Sequence, residues 1–401
     1  MKIAAGIGVV LVACSLALQG CAGGPATRRH EPQMTPLPVP GPIQAPRSAT
    51  PKLPPPKAEQ PVAPTPYQGF GALTPGGSRG RIVSVTNLHD SGPGSLRAAV
   101  SAGSRTVVFA VSGTISLTKM LKVKGAFLTL DGLNAPPPGI TLVNAGLYLS
   151  GTHQAHDIII RGLRIRNPTP DGITIRDGAS NIVIDHVSIQ GAHDGSIDIT
   201  RGAFDITVQW SIFAQNLQAH NLLSLIDYQA RRITFHHNLF MQGQSRQPQS
   251  GWDKTVALPP PDVVTDIRNN LIWDFEAYGT VLKNNTQANV VQNFYYSSLQ
   301  PSATHALQVQ SAQVYAQGNY SGNGVNVDSQ GNQPHPFAAA PVETTDACTA
   351  AQRVRDTAGA RPLDAIDERY LASIRLPSAP CPGSATRAGA SVGGKPRSSP
   401  K

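Results

Sequence analysis

One short unit recurs along the middle of the chain, and it limits the folds the chain can adopt. Ile158-Ile-Ile-Arg-Gly-Leu163-Arg-Ile aligns with Ile182-Val-Ile-Asp-His-Val187-Ser-Ile and with Ile206-Thr-Val-Gln-Trp-Ser211-Ile-Phe. Ile233-Thr-Phe-His-His-Asn238-Leu-Phe, Asp266-Ile-Arg-Asn-Asn270-Leu-Ile, Val290-Val-Gln-Asn293-Phe-Tyr and the weaker Val314-Tyr-Ala-Gln-Gly-Asn319-Tyr continue it. From residue 163 through 187, 211, 238, 270 and 293 to 319 the steps are 24, 24, 27, 32, 23 and 26 residues. A period of this size with short β-rich units and turns marks a solenoid. Helical solenoids require long segments with a 3.6-residue period, and leucine-rich repeats require a leucine consensus; neither is present. Short β-branched runs with alternating faces favour a parallel β-helix. The expected fold is therefore all-β: a right-handed single-stranded parallel β-helix with short capping segments at both ends. The same register predicts that Asn238, Asn270, Asn293 and Asn319 stack as a ladder of side-chain amides.

The flanks read differently. Lys2 followed by the apolar run Ile3 to Leu18 has the form of an export signal and is short for a membrane span. It ends Leu18-Gln19-Gly20-Cys21, which resembles a bacterial lipobox whose cysteine carries lipid. Residues 1–21 are assigned to this signal. Residues 22–66 form a Pro-rich linker without a core of its own, suited to a spacer. The solenoid is expected over 67–335, a C-terminal capping segment over 336–383, and a disordered tail over 384–401. Ser95 is a plausible N-cap for a short helix, and Arg105 to Ile115 reads as strands. A second short helix near Pro362–Ala372 is expected to close the end of the solenoid. Cys348 and Cys381 remain once the signal is removed, and an even pair in an oxidising compartment favours a disulfide.

The chain carries a formal charge of +9. That balance suits an anionic partner, and the absence of a dense Lys/Arg run interleaved with aromatics argues against nucleic acid. Acidic residues cluster on neighbouring repeats. Asp171 precedes Asp194 by 23 residues and Asp198 by 27, which brackets the 24-residue step, so Asp171 should lie about one coil, ~4.8 Å, from the pair. In a straight strand Asp194 and Asp198 would be ~13 Å apart. Sharing an ion held at roughly 2.3–2.6 Å requires a bend, which Gly195-Ser196 permits. Hard oxygen donors favour Ca²⁺ over transition metals. His236 and His237, adjacent on a strand, should face opposite sides and make poor co-ligands. Asp185-His186 is read as structural. Trp252 and Tyr228 are candidates either to stack on sugar rings or to pack.

Several ordered stretches resemble the pectate lyase superfamily, polysaccharide lyase family one. They are Gly69-Phe-Gly-Ala72, Val85-Thr-Asn-Leu88 with Gly92-Pro-Gly-Ser95-Leu-Arg, Val111-Ser-Gly-Thr-Ile115 and Thr129-Leu-Asp-Gly132. Ile184-Asp-His186, Thr234-Phe-His-His-Asn238 and Arg246-Gln-Pro248 follow. The likeness runs over about residues 69–320. It implies a Ca²⁺-dependent enzyme that cleaves polygalacturonate, the pectin backbone, by β-elimination and leaves 4,5-unsaturated oligogalacturonides. It assigns metal ligation to Asp171, Asp194 and Asp198 and proton abstraction to Arg246. The family's lysine two residues past a histidine would fall on Leu222, after His220. Its second arginine would fall on Gly251, and one early acidic ligand on Pro170 or Gly172. His220 and Lys254 are then the candidate substrate contacts. The rival readings are a pectin lyase, a polygalacturonase-type hydrolase and a non-catalytic polyuronate-binding β-helix. Hydrolysis calls for two or more carboxylates, and the Asp-Asp dipeptide usual in such hydrolases is missing. The expected protein is a monomer that meets an acidic polysaccharide and no nucleic acid. It would touch a membrane only through a lipid on Cys21, at the outer membrane, or be released to the exterior.

Overall fold

A computed structural model describes residues 66–252, 262–299 and 304–382. The signal, Cys21, most of the linker, Lys254 and the tail fall outside the described residues. Strands stack into three parallel sheets of ten, nine and eight strands, each inner strand pairing with its equivalents one coil before and one coil after. Each coil runs from the first sheet to the second to the third. One coil, for example, holds Ser180–Asp185, Ser188–Gln190 and Ile197–Ile199. This is the parallel β-helix that the repeat predicts. Ile158, Ile182, Ile206 and Ile233 are aligned one above another and fully buried. Each such aliphatic side chain contributes about 1.5–3 kcal/mol through burial.

The asparagine ladder forms inside this stack. Asn238 Nδ2 donates to Asn270 Oδ1, Asn270 Nδ2 to Asn293 Oδ1 and Asn293 Nδ2 to Asn319 Oδ1, each at 3.0 Å. Two residues that the pattern did not single out extend it. The Ser211 N–H donates to Asn238 Oδ1, and Asp328 Oδ1 accepts from Asn319 at the other end.

Two of the three outer faces are covered by the chain itself. The first sheet is crossed by the segment around Tyr67–Gly77, because outward threonines recur in its register. Phe70 N–H donates to Thr234 Oγ1, Gly71 N–H to Thr207 Oγ1 and Gly77 N–H to Thr129 Oγ1. A Cβ on Gly71 would collide with the carbonyl of Ile182, which explains that glycine. The second sheet is covered by helices α2 (Ala347–Thr357) and α3 (Ala365–Ser373). The apolar stripe Ala347, Ala351, Val354 and Ala358 meets Ile212, Leu239, Leu271 and Phe294. Arg166 anchors α3 through Asp364 and Asp367. Cys348 and Cys381 are bonded, S–S 1.99 Å.

This corrects the expected cap. The helix after Pro362 lies along the flank of the second sheet, because its partners Arg164, Arg166, Gln215 and Ser188 sit on that face. The C-terminal end of the solenoid is closed by Val327, buried in the main core, and by Asn332, which accepts from Val314 N–H and donates to Ala312. At the other end Ser95 caps the short helix α1 (Leu96–Ala99), as expected.

A second correction concerns His236 and His237. His237 follows the strand Arg231–His236 in a left-handed conformation, φ 55°. Strand alternation is lost there, and the two Nδ1 atoms lie 2.9 Å apart. His237 stacks on Trp210, which stacks on His186. His236 Nε2 meets Gln209 Oε1, and Gln209 donates to Asp185. These residues tie neighbouring coils together beneath the N-terminal segment.

Candidate active site

The third sheet is the face that carries the acidic cluster, and part of its outward row is accessible: Lys122 is exposed, and Tyr148, Asp198 and Leu225 are half-buried. Asp171 lies in the turn before the strand Ile173–Arg176, and Asp194 in the equivalent turn one coil on. Asp198 sits on the strand Ile197–Ile199, opposite Thr174. Gly195 N–H donates to Asp171 Oδ1 at 3.1 Å, and Thr174 Oγ1 to Asp171 Oδ2 at 2.6 Å. The chain does bend between Asp194 and Asp198. The strand starts only at Ile197, and the Asp198 carboxylate folds back over Gly195, where a Cβ would strike its Oδ1.

The electrostatics follow from this crowding. Burial raises the Asp171 carboxyl above its ordinary value, against hydrogen bonds from Thr174 and Gly195, and Asp194 adds repulsion. Asp198 is pushed up to about 8, first by burial and then by Asp171 and Asp194. Arg246 and the Leu225 N–H pull it back. Burial and acidic neighbours thus disfavour the charged forms of Asp171 and Asp198, with the Arg246 guanidinium in reach of Asp198. Their donors are all hard oxygens, which fits a divalent cation of the calcium type. Among the described residues, the group of three metal-ligating side chains with donor atoms within 4.8 Å of one another is Asp346, Cys348 and Cys381. There both sulfurs are engaged in the disulfide. At the acidic cluster, Asp194 is turned instead to His220, with Nε2 2.9 Å from Oδ1.

Arg246 lies in the turn before Gln249–Ser250, two coils beyond Asp198. Its carbonyl accepts from Ser224 N–H at 2.8 Å. Its φ of 62° is shared with many corner residues of this solenoid and carries no signal of its own. Asn216 is a support that the sequence pattern did not disclose. It accepts from Ala192 N–H and Ser196 Oγ and donates to the carbonyls of Asp194 and Leu222. It thereby fixes the Asp194 turn. Tyr228 is 51% exposed and Trp252 only 5%, so of these two aromatics only Tyr228 is open to a ligand.

No family model matches the chain. Among curated proteins, one named "probable pectate lyase C" from Aspergillus terreus is 35% identical over 246 residues, covering 59% of this chain and 55% of the relative. Another of that name from Aspergillus oryzae is 29% identical over 335 residues, covering 77% and 75%. The chain spans about half the length of the first of these relatives. Among solved structures, the major allergen of cedar pollen superposes with a TM-score of 0.61 at 19% identity, over 73% of this chain and 92% of that one. A Bacillus sp. N165 pectate lyase in complex with trigalacturonate gives 0.56 at 20% identity, over 73% and 98%. The chain is similar to these relatives of the pectate lyase superfamily in sequence and shares the fold of a solved pectate lyase. Against that superfamily's pattern, Leu222 and Gly251 stand where basic residues are expected. The register places Gly251 beside Lys283: a Cβ on Gly251 would lie 3.3 Å from Lys283 Cγ and 3.1 Å from Asp227 Oδ2. Lys283 is thus a cation one coil from the vacated arginine position, in a strand that the sequence pattern left unremarked.

Proposed function

We propose that this protein is an exported polysaccharide lyase that cleaves polygalacturonate by β-elimination with the aid of Ca²⁺. The observation that carries the reading is the mutually repelling cluster of Asp171, Asp194 and Asp198 with Arg246 in electrostatic reach, on an accessible face of a β-helix. The names of the curated relatives support the same reaction class. Asp171, Asp194 and Asp198 would hold Ca²⁺, and the ion would supply positive charge to offset the negative charge that develops next to the uronate carboxyl.

The reaction breaks the C5–H bond, forms the C4–C5 double bond and expels the C4 oxygen with its electron pair, which takes up a proton from water. Arg246 is assigned to the C5 side. A guanidinium ordinarily stays protonated, so its role is to hold the developing enolate-like charge while hydroxide or water of the alkaline medium takes up the C5 proton. Thr174 and Gly195 orient Asp171, and Asn216 holds the Asp194 turn, so the carboxylates are preorganised by their neighbours. His220, Lys283 and Lys254 are the basic groups assigned to substrate carboxylates.

The test is to incubate purified protein with polygalacturonate and Ca²⁺ at alkaline pH, with and without chelator, and to follow the ultraviolet absorbance of the unsaturated product. Absorbance should rise only with Ca²⁺ and vanish in Arg246→Ala. No absorbance at any Ca²⁺ level, with methylated pectin as well, overturns the lyase reading. Leu222 and Gly251 favour one alternative, a polyuronate-binding β-helix without turnover, which would retain the polymer and yield no product. The signal ending at Cys21 supports export as a lipoprotein, with residues 22–66 as spacer. Incorporation of labelled fatty acid that is lost in Cys21→Ser tests this.

A further inference from the structure

The outward row of the third sheet continues past the acidic cluster towards the N-terminal coils. Lys122 pairs with Tyr148, Tyr148 with Thr174 and Thr174 with Asp198, so the four occupy one face in consecutive coils. Stacked strands are ~4.8 Å apart, which puts Tyr148 ~10 Å and Lys122 ~14 Å from Asp198 along the axis. Accessibility along the row is uneven and greatest at its N-terminal end. Lys122 is exposed, and Tyr148, Asp198 and Leu225 are half-buried. The row's continuation, Gln249 and Val281, is only 7% and 4% exposed. On the N-terminal side Thr174 is 7% exposed as well, but the row reopens beyond it at Tyr148 and Lys122, and a polymer that leaves the cluster in that direction meets both.

The chemistry at that end is specific. Lys122 Nζ stands 5.9 Å from the Tyr148 ring centroid, and His153 meets the same ring edge-on, centroids 5.9 Å apart. An aromatic face accepts the C–H face of a pyranose, and an ammonium beside it accepts a carboxylate. Together they suit a uronate and give a neutral sugar no use for the charge. We infer that Lys122 and Tyr148 form a remote subsite for one uronate residue of a bound polyuronate chain, two to three coils from the carboxylate cluster. The inference rests on the polyuronate reading above. It concerns binding of the chain away from the reacting sugar, and it provides a cation near the site where Leu222 and Gly251 do not.

The test reads binding, so turnover is not required. The full-length protein is run in gels containing graded polygalacturonate with Ca²⁺, and its retardation is converted to an apparent Kd. Lys122→Ala and Tyr148→Ala should each weaken Kd about tenfold, with unchanged melting temperature. Binding of monomeric galacturonate, too short to reach from the cluster to Tyr148, should be unchanged in both. Lys119→Ala, an equal charge change at another exposed lysine, should leave Kd as in the parent. If the parent binds the polymer and yields no unsaturated product, the lyase reading fails while the subsite is still decided. Equal Kd in Lys122→Ala and parent, an equal loss in Lys119→Ala, or a parent that does not bind polygalacturonate overturns the subsite.

Discussion

Asp194 and His220 face each other from adjacent coils, with Nε2 2.9 Å from Oδ1. Their side chains are 54% and 39% exposed, and an ion pair in that setting contributes at most about 1 kcal/mol. His220 is thus a weak counter-ion for a carboxylate that also repels Asp171 and Asp198. A divalent cation can displace it at small loss. His220→Ala should leave stability within about 1 kcal/mol of the parent and leave Ca²⁺ affinity equal or higher. Asp194→Ala should lower that affinity. Calorimetric Ca²⁺ titration of both variants decides, and loss of Ca²⁺ binding in His220→Ala would instead make the imidazole a ligand.

Asp198 gives the metal-free protein a pH dependence. Its folded value is raised to about 8 by burial and by its two acidic neighbours, so the fold favours the protonated carboxyl. The stability this confers is fully present below the ordinary carboxyl range and is lost as pH rises through about 8. In chelator, the melting temperature should fall between pH 5 and pH 9. Asp198→Asn should flatten that fall and stabilise the protein at pH 9 by about 1 kcal/mol or more. A variant that melts in parallel with the parent across this range would show that the charge is relieved elsewhere.

The histidine pair beneath the N-terminal segment acts on the acid side. His237 is lowered to about 4 by burial, with Arg353 adding repulsion, and burial, then repulsion from His237, holds His236 well below its ordinary value. Both are held neutral, so their contribution is present above about 6.5 and is lost as pH falls through about 4. Denaturant titrations should show stability declining between pH 6.5 and pH 4. The decline should be shallower in His237→Asn, which keeps a side chain tolerant of the left-handed backbone.

Asn270 is an interior rung of the ladder. It accepts from Asn238, donates to Asn293 and to the Phe235 carbonyl, and is fully buried. Asn270→Leu would strand several buried donors and acceptors, each costing about 1–3 kcal/mol. A loss of about 3 kcal/mol or more is expected in chemical denaturation. A change below about 1 kcal/mol would mean that water replaces the rung.

The Cys348–Cys381 bond spans 33 residues that include both flank helices. Opening it should release about 3–4 kcal/mol of constraint on the unfolded segment. Reductant should make α2 and α3 the first sites of proteolysis, with Ile212, Leu239 and Leu271 uncovered behind them. Proteolysis that starts elsewhere would show that Arg166 and the apolar stripe hold the flank unaided.

Much of this molecule is written into its 24-residue step. In a solenoid each coil touches mainly its neighbours, so equal spacing in sequence becomes stacking in space. That is why the asparagine ladder, the aligned isoleucines, and Asp171 beside Asp194 and Asp198 could all be read from residue numbers. The same step is silent about contacts between distant parts of the chain. Only the tertiary structure decided that the C-terminal helices lie on the second sheet, because Arg164 and Arg166 meet Pro362 and Asp364 across 198 residues. Only it decided that His236 and His237 meet, since a left-handed residue breaks the alternation that the pattern assumes. The third sheet as an accessible face for the carboxylates depends likewise on how the chain ends fold back over the other two sheets, whereas Lys283 beside Gly251 follows the 32-residue step between their coils. A repeat period fixes which residues stack, and long-range packing fixes which of the stacked rows meets solvent.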